Sequence, residues 1–290
     1  MRRYFFTTAL LLSSIWASAQ TRIYVNAAAT GNNNGQGWSN AFTSLKTALT
    51  AAQPGDTVWV AQGTYKPTPG AERDSTFRLK SKVRLYGGFA GNETALSQRD
   101  WAAHPTLLSG DIGAVGDSTD NSFNILYLES PDSGTVVDGF VFRYGMAVPP
   151  SLSGSLFSPR QCGGALYIMA FNTFAYPVIR NCRFERNHAA IHGGAVCVNG
   201  GGDGSVAPQF FDCVFEGNSA GVNGGGIYRR GGSWVDRIPD FGNCTFRGNR
   251  AAERGGGLYF NDSERTDTLH VTGCRFVQNT AAMTGGGRGN

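Results

Sequence analysis

Four cysteines, Cys182, Cys213, Cys244 and Cys274, stand 31, 31 and 30 residues apart, and each brings the same neighbours with it. Two residues after each comes Phe184, Phe215, Phe246 or Phe276, and three beyond that Asn187, Asn218, Asn249 or Asn279. Ala189, Ala220, Ala251 and Ala281 follow, then the glycine pairs Gly193-Gly194, Gly224-Gly225, Gly255-Gly256 and Gly285-Gly286. A unit this short cannot enclose a core by itself, so a chain that repeats it must bury apolar side chains between neighbouring copies. A weaker copy comes first, with Phe140 in the cysteine place, Phe142 in the phenylalanine place, Gly145 in the asparagine place and Ala147 in the alanine place. Its glycine pair, Gly163-Gly164, is delayed by the Pro/Ser-rich insertion "VPPSLSGSLFSPRQC", which belongs on a surface loop.

Three positions before the cysteine place stand Val137, Ile179, Phe210, Phe241 and Val271, and just before it Gly139, Asn181, Asp212, Asn243 and Gly273. Apolar residues at minus three, zero and plus two cannot share one face of a flat strand of period two, so the chain must bend at minus one. Gly, Asn and Asp are the residues that tolerate a left-handed bend. One repeat therefore reads strand, bend, strand, Asn-bearing turn, Gly-Gly turn, strand, with no helical period. Stacked, such coils pair parallel strands. The expected fold is all-β: a right-handed parallel β-helix with about three strands per coil.

Residues 1–19 carry Arg2 and Arg3, an apolar run from Tyr4 to Leu12, and Ala17-Ser18-Ala19 as a small-residue cleavage site, the pattern of a secretory signal peptide. Residues 20–65 read as an N-terminal cap of strand, helix and strand. The helix is expected from about Ala41 to Ala52, capped at Ser39 or Asn40, apolar at Phe42, Leu45, Ala48 and Leu49, and stopped by Gln53-Pro54-Gly55-Asp56. Residues 66–135 form early, irregular coils and 136–290 the regular repeats. "AAMTGGGRGN" stops just after a glycine pair, so the last coil is expected to be truncated.

Glycine is abundant, 41 residues, whereas only 16% of residues are charged, which suits many turns and argues against an ordinary helical or doubly wound protein. Of the formal charge of +4, two units belong to Arg2 and Arg3, and the other basic residues are scattered along the chain, so no nucleic-acid footprint is expected. The first apolar run is too short to span a bilayer, and no later stretch approaches the roughly 20 apolar residues a spanning helix needs.

"FERN", "FEGN", "FRGN" and "FVQN", paired with "GGAL", "GGAV", "GGGI" and "GGGL", resemble the Phe-x-x-Asn and Gly-Gly-Ala-aliphatic repeats of polymorphic outer membrane protein passenger domains. The N-terminal half, with "IYVN", "GDTVWVAQGTY", "VRLYGGFAGNET" and "LLSGDI", resembles the start of secreted right-handed parallel β-helix proteins of the Bacteroidetes surface. These resemblances imply a pectate-lyase-like fold, export to the cell surface, outer membrane or medium, and roles such as adhesion.

Cys182, Cys213, Cys244 and Cys274 are expected to face inward in register beside the phenylalanines, at a coil rise of about 4.8 Å. Parallel side-chain directions disfavour a disulfide there, though oxidation of one adjacent pair is an alternative. Cys162 and Cys197 fall at other coil positions and read as unpaired. His188 and His192 are spaced four apart, but in a Gly-rich turn without counterparts in other coils, so no metal site and no cofactor are expected. "GGGDGS" from Gly200 to Ser205 reads as a loop and "RLYGGFAGNE" as a turn. Asp111, Asp117 and Asp120 share a loop, and Arg180, Arg183 and Glu185 share a coil, but neither group is the carboxylate pair of a glycosidase.

Just after the inward aliphatic places stand Tyr167, Cys197, Tyr228 and Tyr259, which alternation turns outward. Tyr167, Tyr228 and Tyr259 are thus the candidate ligand-stacking face, suited to sugar rings or a partner protein. The alternative is a row half covered by loops that stabilises the sheet by stacking. The expected function is an exported, non-catalytic scaffold, adhesive or binding surface glycans or host and cell-surface proteins. A polysaccharide lyase or glycoside hydrolase on the same fold is the main rival, and a fragment of a longer passenger protein without its own function is the third.

Overall fold

The computed structural model describes residues 20–152, 154–201, 205–231, 239–261 and 269–283. The signal-peptide reading of residues 1–19, the pair Gly285-Gly286 and the middle of the Gly200 to Ser205 loop lie outside them.

The bends determine the rest. Asn181, Asp212 and Asn243 adopt φ of 52°, 53° and 55°, with Gly139 at 84° and Gly273 at 66°, so the place before the cysteine is left-handed in each of the five copies. A second left-handed corner, not foreseen, precedes the asparagine place: Tyr144 (67°), Arg186 (53°), Gly217 (63°), Gly248 (61°) and Gln278 (54°). A third falls on the first glycine of each described pair, with Gly224 at 70°. The second glycine is required for a different reason. A Cβ on Gly225 would lie 2.3 Å from the Gly256 carbonyl oxygen and 2.4 Å from that of Arg250. Two coils touch there through bare backbone.

Between corners run short strands, and equivalent strands of successive coils pair in parallel. The first sheet carries Val178–Arg180, Gln209–Phe211, Asp240–Gly242 and His270–Thr272; the second Arg183–Glu185, Val214–Glu216, Thr245–Arg247 and Arg275–Val277. After a two-residue strand such as Ser219–Ala220 comes the third sheet, with Leu166–Phe171, Val196–Gly201, Ile227–Arg230 and Leu258–Asn261. The irregular early segment joins the same sheets: Arg84–Phe89 in the first, Thr106–Ser109 in the second, Phe77–Leu79 and Leu126–Glu129 in the third. Among the described residues these sheets have eight, seven and six strands, a parallel β-solenoid of about eight turns.

Inside the tube each coil position becomes a column. Phe142, Phe184, Phe215, Phe246 and Phe276 stack with centroids 4.7–4.8 Å apart. Cys182, Cys213 and Cys244 are fully buried and Cys274 partly so, all four as free thiols. Each sulfur donates to backbone carbonyls, as Cys213 does to Phe211 at 3.3 Å and Ile179 at 3.6 Å. Burial pushes the Cys213 thiol well up, which keeps it protonated.

The asparagines do more than mark a turn. Asn218 Oδ1 accepts from both the backbone N–H and the Nδ2 of Asn187, each at 3.0 Å, while Asn218 Nδ2 donates to Asn249 Oδ1 at 3.0 Å and to the Phe184 carbonyl at 2.8 Å. Asn249 repeats the pattern with Asn279. Asn187, Asn218 and Asn249 are buried, so this polar column satisfies corner backbone groups that no sheet can reach.

The helix α1 spans Leu45–Ala51 with Ser44 as its N-cap, shorter than the expected 41–52. Phe42 is tied to the first strand instead: its N–H donates to the Tyr24 carbonyl and its carbonyl accepts from Asn26, both at 2.9 Å, which is incompatible with a helical residue. Asn40 is no cap either, because its Oδ1 accepts from Asn32 N at 2.9 Å. Leu45, Ala48 and Leu49 are buried in the main core beside Phe77–Leu79, the terminal strand of the third sheet. Lys80 Nζ closes the far end, donating to the Thr50 and Ala52 carbonyls at 2.8 and 2.7 Å.

Candidate functional site

With the interior filled by columns, any site must lie on the outer faces. The N-terminal part of the first sheet's outer face is covered. Trp59, Tyr86 and Phe89 are buried there against Trp38, whose Nε1 donates to the Glu93 carbonyl at 2.8 Å. Asp138, fully buried, accepts from Arg99 at 2.5 Å, Arg180 at 2.7 Å and Asn181 at 2.9 Å. A fully buried carboxylate paired with two guanidinium groups and an amide fastens a loop to the sheet and is closed to a ligand from solvent.

The third sheet's outer face holds the tyrosine row, and it too is closed. Tyr167 and Tyr228 are each 1% exposed, because the insertion delaying Gly163-Gly164 lies over them. Its Phe157 stacks on His192 and Tyr228, and its backbone carbonyl accepts from the Tyr167 hydroxyl. Arg160 grips Asp74 through Nε and Nη2 at 2.7 and 2.6 Å. The row stacks internally: Tyr127 on Tyr167 at 5.6 Å, His192 on Tyr228 at 4.1 Å, Tyr228 on Tyr259 at 5.9 Å. Alternation does turn these rings away from the main core, but Tyr167 and Tyr228 offer no face to a ligand, and only Tyr259 is half-exposed. The ligand-stacking reading is thus corrected in favour of stacking within the sheet. Burial pushes the Tyr228 hydroxyl up to about 12 and His192 down to about 4, so both are neutral near pH 7.

His188 is apart from His192 and shares a hydrogen bond with Ser219 Oγ at 2.6 Å. Among the described residues no three His, Cys, Asp or Glu side chains gather as metal ligands. Asp111, Asp117 and Asp120 each accept from an N–H of their own loop, those of Gly116, Thr119 and Ala114.

The second sheet's outer face is open over the regular coils. Its strand register aligns Arg143, Glu185, Glu216 and Arg247 in one row and Arg183, Val214, Thr245 and Arg275 in the next. Arg143 meets Glu185 at 2.6 Å, Arg183 meets Glu185 at 2.7 Å, and Arg247 meets Glu216 at 2.8 Å. Arg183 and Arg247 remain 49% and 52% exposed. Arg275 is exposed as well, and exposed Arg186 stands at the corner that ends one strand, so arginine outnumbers glutamate on this side. The basic residues that look scattered along the chain are brought together by the coil period, a grouping sequence reading missed. Reading positions modulo 31 would have found it.

Burial would raise the Glu185 carboxyl, but hydrogen bonds from Arg183 and Arg143 hold it below the usual carboxylate range. It is an ion-pair partner at neutral pH and carries no proton to give a leaving group. Arg180 lies with Asp138 on the first sheet, so the trio Arg180, Arg183 and Glu185 is split between two faces. Beside the charged rows, toward the N-terminal coils, a groove of about 460 Å³ is lined by Gln62, Gly63, Thr64, Pro105, Leu107, Val141 and Arg143. A second, of about 560 Å³, runs between α1 and the third sheet past Lys46, Arg78, Lys80 and Glu129.

No helix among the described residues is long and apolar enough to cross a membrane. No curated protein and no solved structure matches the chain. The Chlamydia polymorphic membrane protein repeat matches residues 212–228 and 243–261, two successive coils including Phe215, Asn218, Phe246 and Asn249. Repeats of that kind on a β-solenoid suggest a surface-exposed scaffold, with a surface or outer-membrane location.

Proposed function

We propose that the chain is an exported, right-handed β-helix of the pectate-lyase-like kind, with α1 covering its first coil, and that it is an adhesive surface protein binding acidic glycan chains along the second sheet. The observation that carries this reading is the open arginine-rich face, beside a third sheet closed by the insertion and a first sheet covered over its N-terminal part. Coils repeat at about 4.8 Å, so Arg183 and Arg275, three coils apart, span roughly 14 Å along the axis. An extended polymer laid parallel to the axis meets guanidinium forks at intervals, and such forks suit carboxylate or sulfate groups. Glu185 and Glu216 hold Arg143, Arg183 and Arg247 in place, which lowers the entropy lost on binding.

The test is a glycan array of acidic and neutral polysaccharides, with depolymerisation followed in the same samples. Acidic chains are expected to be retained intact. Arg247→Gln combined with Arg275→Gln should weaken retention by about tenfold or more while moving the melting temperature by no more than about 4 °C, since an exposed ion pair is worth little. Retention unchanged by the double variant would remove this face as the site, and release of shortened chains would favour the lyase or hydrolase reading.

A further inference from the structure

Cys162 closes the insertion over the tyrosine row, and Cys197 lies in the third-sheet strand of the following coil. Their different coil positions set them apart in the sequence, but the fold brings them together. Cys162 bridges to His192, and the chain then turns so tightly at Gly163 that a Cβ built there would lie 2.9 Å from the Cys197 Cβ. Both cysteines are fully buried in one cluster with Tyr167, Ile191 and Tyr228. The core column offers an instructive contrast. Its cysteines occupy the same place in successive coils, at the corner between the first and second sheets, and such side-by-side places suit the near-perpendicular dihedral of a disulfide poorly. Cys162 and Cys197 stand at non-equivalent positions, Cys162 level with His192 before the Gly163 turn and Cys197 level with Tyr167 after it, so the side-by-side arrangement of the column does not apply to them.

We propose that Cys162 and Cys197 are a disulfide-forming pair, a modification site that fastens the foot of the insertion to the third sheet. The oxidant is a small or protein-borne disulfide. One cysteine thiolate attacks it and expels one thiol, leaving a mixed disulfide. The other cysteine thiolate attacks the protein sulfur of that mixed disulfide, forming the Cys162–Cys197 bond and expelling the second thiol. The two protons lost by the cysteines end on the two thiols released. Burial pushes the Cys197 thiol well up, so exchange in the closed fold is slow and the bond forms while the insertion is still open during folding. The crosslink pins a covering segment that otherwise rests on Phe157, Arg160 and the Cys162 hydrogen bond to the Leu156 carbonyl.

The experiment refolds the full chain in oxidised and reduced glutathione, blocks free thiols with an alkylating agent under denaturing conditions, and maps the peptides by mass. A linked pair of peptides joining Cys162 and Cys197 is expected, with Cys182, Cys213, Cys244 and Cys274 all alkylated. Reduction of that product should lower the melting temperature by roughly 5–10 °C. Cys162→Ser should melt at one temperature with and without reductant. Six alkylated cysteines after oxidative refolding, or a crosslink within the core column, would overturn the assignment, and the map of the unmutated chain decides even if Cys162→Ser does not fold.

Discussion

Replacing Asn218 by alanine tests whether the asparagine column is a structural spine. The side chain is fully buried, and its loss removes the acceptor of Asn187 N–H and of one Asn187 Nδ2 hydrogen, together with the donor to the Phe184 carbonyl. Asn249 Oδ1 still receives the Asn218 backbone N–H at 3.0 Å, so the damage is concentrated on the Asn187 side. Two buried donors left unsatisfied, at about 1–3 kcal/mol each, with the two bonds from Asn218 Nδ2 to the Phe184 carbonyl and to Asn249 Oδ1 also lost, give an expected destabilisation of about 3–5 kcal/mol. Asn279→Ala is the internal control. Asn279 makes equivalent bonds to Asn249 and to the Phe246 carbonyl, but it is only half-buried, so water replaces it and the cost should be about 1 kcal/mol. Urea unfolding followed by circular dichroism and tryptophan fluorescence measures both, with the m-value checked because stacked coils can lose cooperativity. Equal losses for the two variants, or less than about 1 kcal/mol for Asn218→Ala, would refute the spine.

Tyr228→Ala should cost about 3 kcal/mol in the same assay, since the ring is enclosed between His192, Phe157 and Tyr259, whereas a ligand-facing tyrosine would cost little. His192 is held near 4 against an ordinary 6.5, so the unfolded chain takes up its proton first as pH falls. Its contribution to stability is complete above 6.5, declines as pH drops toward 4 and levels off below, and His192→Asn, copying Asn223 in the next coil, should remove that component of a melting-temperature titration. Gly225→Ala should destabilise by about 3 kcal/mol through its clash with the Gly256 and Arg250 carbonyls. Gly217→Asn, at φ 63° with open space around it, should stay within about 1 kcal/mol of the parent by urea unfolding.

Much of the solenoid is legible because its rules are local. Asn181, Asp212 and Asn243 announce a left-handed bend by residue type alone, and that bend separates two sheets. Arg186 and Gln278 escape notice at the next corner because neither favours such a backbone, and they are held there by the corner they share with Gly217 and Gly248. The helix starts later than its periodicity implies because Phe42 pairs with the first strand at Val25, and that pairing outweighs the helical pattern. The outer faces were less legible still. Alternation places Tyr167 and Tyr228 outside the main core, but only the path of the insertion decides whether outside means wet. Cys162 meets Cys197, and Arg183 shares a face with Arg275, through pairings between coils that no short window of sequence contains.

The hydrogen bonds between coils have a mechanical consequence. They point along the axis of the stack, as from Val214 to Cys182, Thr245 to Cys213 and Arg275 to Cys244, at 2.8–2.9 Å. Tension along that axis loads the seam between two coils like a zipper, one row at a time, rather than shearing a whole sheet at once. Each coil that lets go frees roughly 100 Å of extended chain while its neighbours stay wound. A stack built this way lengthens stepwise under load and dissipates work at every step, while the coils not yet reached stay wound.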